Sequence, residues 1–263
     1  MADMNEKKHP FGSTFEAFLY PTILLLSMWL VFWAEHLFRF DFHRLGVLPR
    51  SLEGLKGILL MPFIHSAYDL AHIVNNSMPV FFLLAALIYF YRDIAFRVFL
   101  FGWLATGVFL WIYAENKGAY HIGMSGIIYM LAAFLFTSGV IRKFKPLQAI
   151  SLFIIFAYGS MVWGIFPLKE HVSWEGHFVG AASGIILAFV YQKHGPQRPK
   201  YQYEVEKEMG IEPPDFEAEL NERIRLAAQA EEERLRQQEQ QITIVYEYLP
   251  RKTEPKPDET PPQ

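Results

Sequence analysis

Apolar residues fill the first 192 positions in six long runs, each near the roughly 20 residues that a helix needs to cross a bilayer core. The runs extend from about Phe15 to Leu37, His72 to Tyr91, Ile94 to Ala114, Gly123 to Ile141, Leu147 to Phe166 and Gly176 to Tyr191. This pattern predicts an all-α membrane protein: a six-transmembrane-helix bundle over residues 15–192, after a polar N-terminal segment, residues 1–14. Residues 193–263 form a charged tail. The first apolar run lacks a small-residue cleavage signature, so it reads as a retained anchor. An even number of spans places both termini on one side.

Charge decides which side. Lys7, Lys8, Arg92, Arg97, Arg142, Lys143, Lys145, Lys193, Arg198 and Lys200 flank the ends that share the termini's side, against Lys117 and Lys169 in two of the opposite loops. Lys and Arg near helix ends favour the cytoplasm, so both termini are expected there, in a bacterial inner membrane. The long first loop, residues 38–71, runs against this bias with Arg39, Arg44, Arg50 and Lys56. Its apolar Gly57 to Ile64 stretch suggests a partly embedded first loop. Trp33, Tyr113, Tyr120 and Trp174 fall near helix ends, where aromatic rings anchor at the interface.

Hydrophobic residues are 52% of the 263, yet mean hydropathy is only +0.15, because the charge is concentrated in the tail. Residues 193–263 hold 11 of the 24 Lys and Arg and 16 of the 27 Asp and Glu. The soluble C-terminal tail should contain a solvated helix over Glu217 to Gln241, with Glu219/Arg223 and Glu232/Arg236 as i,i+4 pairs. Ile242 to Leu249 fits a strand or a docking segment, and the proline-rich Pro250 to Gln263 fits disorder. No partner for the tail can be named from it. A net charge of −3 offers no basic face for nucleic acid. The absence of cysteine excludes disulfides, a thiol nucleophile and thiolate metal sites.

The chemistry sits at helix mouths. Ser125, within Gly123-Met124-Ser125-Gly126, opens the fourth helix, and His177 opens the sixth. A serine hydroxyl is a weak nucleophile until a positioned base takes its proton, and imidazole is the usual base near neutral pH. Gly176, Gly180 and Gly184 recur every four residues, forming a stripe that lets two helix backbones approach closely. Gly126 and the alanines that follow make the fourth helix its natural partner, which would bring Ser125 to His177. His72 and Asn76, four apart at the same end of the second helix, could join the Ser125 backbone N–H as donors to a developing oxyanion. Tyr129 lies one turn after Ser125, where its ring could pack on the His177 imidazole. No carboxylate is placed as a third member, since Glu175 points elsewhere. His43, His65, His121, His171 and Glu170 form no His-x-x-x-His pair and read as loop residues, so neither metal nor organic cofactor is expected.

These features together resemble the rhomboid family of intramembrane serine proteases. The matching residues are Gly123-x-Ser125-Gly126 with Tyr129, His177-x-x-Gly180-x-x-x-Gly184, and His72-x-x-x-Asn76, in the family's order along the chain. The resemblance implies a Ser125 nucleophile, a His177 general base, an oxyanion site completed by His72 and Asn76, and cleavage of the transmembrane segments of other membrane proteins. The Trp-Arg pair common in the family's first loop is missing, the nearest candidates being Phe38-Arg39 and His43-Arg44.

Two other functions fit parts of the pattern. A catalytically inactive relative would bind membrane clients without cutting them, and a small polytopic transporter would use intramembrane polar groups as a pathway. The first is disfavoured by the presence of both Ser125 and His177. The second is disfavoured because the polar groups cluster at one end while the rest of the two helices is apolar.

Overall fold

The computed structural model describes residues 13–115, 118–168, 173–211, 215–240 and 244–251. Lys7, Lys8, Lys117, Lys169, Glu170 and His171, and the proline-rich segment beyond residue 251, lie outside the described residues. Nearly all regular structure is helical. Among the described residues, four helices are long and apolar enough to cross a membrane: α1 (Thr14–Phe38), α3 (Leu70–Phe90), α4 (Arg92–Tyr113) and α5 (Ser125–Arg142). A one-turn α2 (Gly57–Leu60) lies in the first loop.

The fifth apolar run is a shorter α-helix than the sequence pattern suggests, and the sixth is a helix of about the run's own length. α6 (Lys145–Tyr158) has 14 residues and passes into a 3-10 helix, Gly159–Ile165; α7 (Trp174–Val190) has 17. At 1.5 Å per residue, 14 and 17 residues reach only about 21 and 26 Å, while the tighter 3-10 turn rises about 2 Å per residue and lengthens the α6 segment.

α5 is the centre of the bundle. Of its apolar stretch 56% is buried, against 22% for α1. Ile127, Ile128, Met130, Leu131 and Phe134, all fully buried, pack into a core that includes Met28, Ile73, Leu87 and Val98 from the surrounding helices. The outward faces carry exposed apolar side chains such as Leu30, Phe96 and Val190, which suits a hydrocarbon solvent. Buried hydroxyls inside helices turn back to the preceding turn: Thr106 donates to the Gly102 carbonyl, Ser77 to Ile73 and Ser183 to Val179, each at 2.7 Å. That leaves no hydroxyl donor unpaired at these positions.

The α5 and α7 backbones touch through glycine. A Cβ added at Gly180 would collide with the Gly126 carbonyl, and one at Gly184 with the Met130 carbonyl, standing also 2.9 Å from the Phe134 nitrogen. The every-fourth-residue stripe therefore meets residues 126, 130 and 134, an every-fourth-residue row on α5.

The first loop is built against α4. Trp103 Nε1 donates to the Ile58 carbonyl at 2.9 Å and Trp111 Nε1 to Ser51 at 2.8 Å. Arg50 donates to the carbonyls of Ile112 and Ala114 at 3.1 and 2.9 Å, satisfying acceptors at a helix C-terminus where a cation is favoured. Arg50 thus has a structural use that explains its place in a loop where the charge bias disfavours it. Arg142, read from sequence as an orienting charge, is buried. It donates to Ser138 Oγ and to the carbonyls of Tyr191, at 2.7 Å, and His194, at 2.5 Å, just past the end of α7.

The chain divides into two compact units, Met1–Pro199 and Lys200–Gln263. The second contains α8 (Gln202–Glu208) and α9 (Phe216–Gln240), the latter exposed throughout. The Glu232–Arg236 pair forms at 2.8 Å. The strand considered for Ile242 to Leu249 is not formed at Ile244–Leu249, which has no regular structure. Residues 241–243 lie outside the described residues.

Candidate active site

Ser125 is the first residue of α5 and His177 the fourth of α7. The glycine contact between these helices brings Ser125 Oγ to 2.8 Å from His177 Nε2. The other ring nitrogen, Nδ1, lies 2.9 Å from the Gly164 carbonyl. A carbonyl can only accept, so Nδ1 carries the ring proton and donates it, which leaves Nε2 bare to accept from the Ser125 hydroxyl. His177 is thereby held in the tautomer that a general base requires. Tyr129 stacks on the imidazole, ring centroids 4.2 Å apart and 9° from parallel.

Gly164, in the 3-10 helix after α6, has no side chain for the sequence to advertise. A Cβ there would run into the Tyr129 hydroxyl and come within 3.1 Å of His177 Nδ1, so only glycine lets this backbone reach the ring. Gly123 is constrained twice. Its φ of +104° lies where L side chains are strained, and a Cβ would stand 2.8 Å from His72 Nε2 and 3.7 Å from Asn76 Nδ2. The side chains of His72 and Asn76 therefore gather beside the residue two before Ser125. As the first helical residue, Ser125 has a backbone N–H without an intrahelical acceptor, at the positive end of the helix dipole.

The loop histidines have more specific places than the sequence suggests. His65 is fully buried, its Nε2 3.0 Å from Asn76 Nδ2 and its ring 4.9 Å from that of His72. His121 pairs through its backbone with Val47, at 2.8 and 2.9 Å, tying the first loop to the segment before α5. Its Nδ1 lies 2.7 Å from the hydroxyl of Ser173, which caps α7 by accepting from the Gly176 N–H at 3.2 Å. Glu35, Asp41 and His43 bring carboxylate and imidazole atoms within 4.8 Å of one another, but this group shares no residue with the Ser125 pair.

Burial pushes the His65 imidazolium down to about 3, with His72 adding to the shift and the Phe63 backbone opposing it. Burial likewise lowers His121, Glu175 opposing. Both rings are neutral in the folded protein near pH 7. An unfolded chain takes up the proton near pH 6.5, so it binds more protons than the folded one as pH falls from there toward 3, and stability drops over that window. Melting midpoints in detergent should hold above pH 6.5 and decline below it, and His65→Gln should flatten part of the decline. A pH-independent midpoint between 7 and 4.5 would contradict this.

A nearly all-helical core with long apolar helices, and a serine and a histidine joined at the starts of α5 and the shorter α7, define a polytopic membrane protein with a serine–histidine site. The chain belongs to the rhomboid family: the family model, described as a rhomboid domain, matches residues 53–194. It is an integral membrane protein. The uncharacterized protein ML1171 of Mycobacterium leprae is 30% identical over 196 residues, covering 71% of this chain and 74% of that protein. The uncharacterized protein Rv1337 of Mycobacterium tuberculosis is 31% identical over 159 residues, 55% of this chain and 62% of the relative. The Mycobacterium bovis protein Mb1372 matches to the same extent.

Proposed function

We propose that this protein is an intramembrane serine endopeptidase that cuts the transmembrane segments of other membrane proteins with a Ser125–His177 dyad. The observation that carries the reading is the 2.8 Å contact between Ser125 Oγ and a His177 whose opposite nitrogen is tied to the Gly164 carbonyl. Ser125 Oγ attacks the scissile carbonyl carbon as Nε2 takes the hydroxyl proton. The carbonyl oxygen becomes an oxyanion, stabilised by the Ser125 N–H and the side chains of His72 and Asn76. Collapse of this intermediate breaks the C–N bond, and His177 returns the proton to the leaving amine. Water then attacks the acyl-enzyme, giving its proton to His177, and release of the new carboxyl end restores Ser125.

In this reading the bundle has six spans, α6 and α7 completing the four longer helices. Both termini are cytoplasmic, the cell membrane is bacterial as in the mycobacterial relatives, and the dyad lies toward the outer face, where hydrolytic water is available. Residues 15–192 form the catalytic domain and 193–263 a soluble tail. A fluorophosphonate probe, followed by peptide mapping, should label Ser125 in the wild type and nothing in His177→Ala. Failure to label Ser125 would favour an inactive client-binding protein.

The oxyanion assignment gives a separate expectation. His72→Ala and Asn76→Ala should each lower kcat by about 10² to 10³, the usual cost of one lost donor, with Ser125 still open to covalent labelling. Unchanged rates in stable variants would remove both side chains from the oxyanion site.

A further inference from the structure

Asn76 reaches the site from the second turn of α3, a buried side chain whose amide turns softly about its last bond but has only one useful pose. An oxyanion donor is effective only if it is already aimed when charge develops. What fixes Asn76 is not a neighbour on its own helix. It is His65, eleven residues earlier, in the loop between the short 3-10 turn Met61–Phe63 and Asp69, the residue that caps α3.

His65 is fully buried: the preceding residue Ile64 is buried and donates to the Met61 carbonyl at 3.2 Å, and the ring meets His72 edge to face at 4.9 Å and 62°. Its Nε2 faces Asn76 Nδ2 at 3.0 Å. An amide nitrogen always bears its hydrogens, so a ring nitrogen at this distance must be the bare one, and Asn76 donates to it. The amide has two N–H groups. With one committed to His65, rotation of the amide about its last bond is fixed and the second N–H is directed elsewhere, from a nitrogen that stands beside Gly123 at the entrance to α5. The neutral state of the His65 ring keeps Nε2 available as an acceptor throughout the working pH range.

We propose that His65 is a positioning residue for the oxyanion site, taking one N–H of the Asn76 amide so that the other points at the developing oxyanion; this rests on the protease reading above. It touches no substrate and acts only through Asn76. His65→Leu removes the acceptor and leaves the amide free to turn. His65→Gln can present an oxygen near the place of Nε2 and keep it.

The test combines kinetics and spectroscopy on the full chain in detergent. His65→Leu should lower kcat on a single-span substrate by about 10- to 100-fold, between no effect and the full loss of a donor, with KM changed less than threefold. His65→Gln should recover most of the loss. In an Asn76→Ala background His65→Leu should add less than a threefold further loss, because the residue through which it acts is gone. The chain has only five asparagines, so protein labelled with nitrogen-15 at asparagine should give few side-chain amide signals, the Asn76 pair being assigned by its absence in Asn76→Ala. That pair should move in His65→Leu and return toward its wild-type position in His65→Gln. An unmoved pair, or equal kinetic losses from His65→Leu with and without Asn76, would overturn the proposal while leaving the Ser125-dependent activity of the parent intact. A parent protein whose cleavage does not depend on Ser125 would instead defeat the protease reading and, with it, any role for His65 in catalysis.

Discussion

Ser125→Ala and His177→Ala should each abolish peptide-bond cleavage, by roughly 10⁴-fold or more, and the double variant should be no worse than either single one. Residues that act as one unit in proton transfer and attack are strongly non-additive. The base within reach of the Ser125 hydroxyl is His177 Nε2 at 2.8 Å, and that ring is held between the Gly164 carbonyl and the face of Tyr129. Without the imidazole the hydroxyl keeps its proton; without the hydroxyl the imidazole has nothing to activate. Both changes trim polar groups without adding bulk, so the variants should stay folded and in the membrane. Measuring kcat/KM on purified variants checks this, and substantial proteolysis surviving in both would sink the dyad.

The second large effect comes from the backbone contact that creates the pair. Gly180→Leu and Gly184→Leu should damage both stability and activity. Their Cβ atoms would enter the Gly126 carbonyl and the Met130–Phe134 backbone, which cannot rotate aside as a flexible side chain could. Overpacking a close-packed interface typically costs about 1–3 kcal/mol or more. Activity should suffer further, since α5 carries Ser125 and α7 carries His177, and a displacement of about 1 Å can cost about 10² in rate. Phe178→Leu, on the exposed side of the same helix, should have little effect on either. Melting midpoints together with cleavage rates read both consequences, and full activity in Gly180→Leu would mean the helices do not need this contact.

Much of the candidate site is legible in the chain because its parts announce themselves through side chains at periodic positions. Gly176, Gly180 and Gly184 share a face at fourfold spacing, Ser125 and His177 each open an apolar run, and His72 and Asn76 lie one turn apart. What stays hidden has no such period. The partner that fixes the His177 tautomer is a backbone carbonyl at Gly164, in a 3-10 segment that looks, by composition, like the end of one long apolar helix. His65 lies in a loop, where no periodicity links it to Asn76, and its burial is a product of tertiary packing. Arg50 and Arg142 count as charges in a topology argument, yet both serve helix C-termini in the folded protein, a use that composition alone cannot separate from orientation. The length of α6 is obscured for a related reason: hydropathy continues through the change from α to 3-10 geometry at Gly159.

The most direct measurement is cleavage of a single-span membrane protein co-reconstituted with the purified wild-type or Ser125→Ala protein in liposomes, the new termini located by mass spectrometry. The expected result is a cut in or at the edge of the substrate's transmembrane segment with wild type and none with Ser125→Ala. The same cut with both proteins would contradict the assignment of Ser125 as nucleophile, as would an intact substrate across a panel of single-span proteins with the wild type.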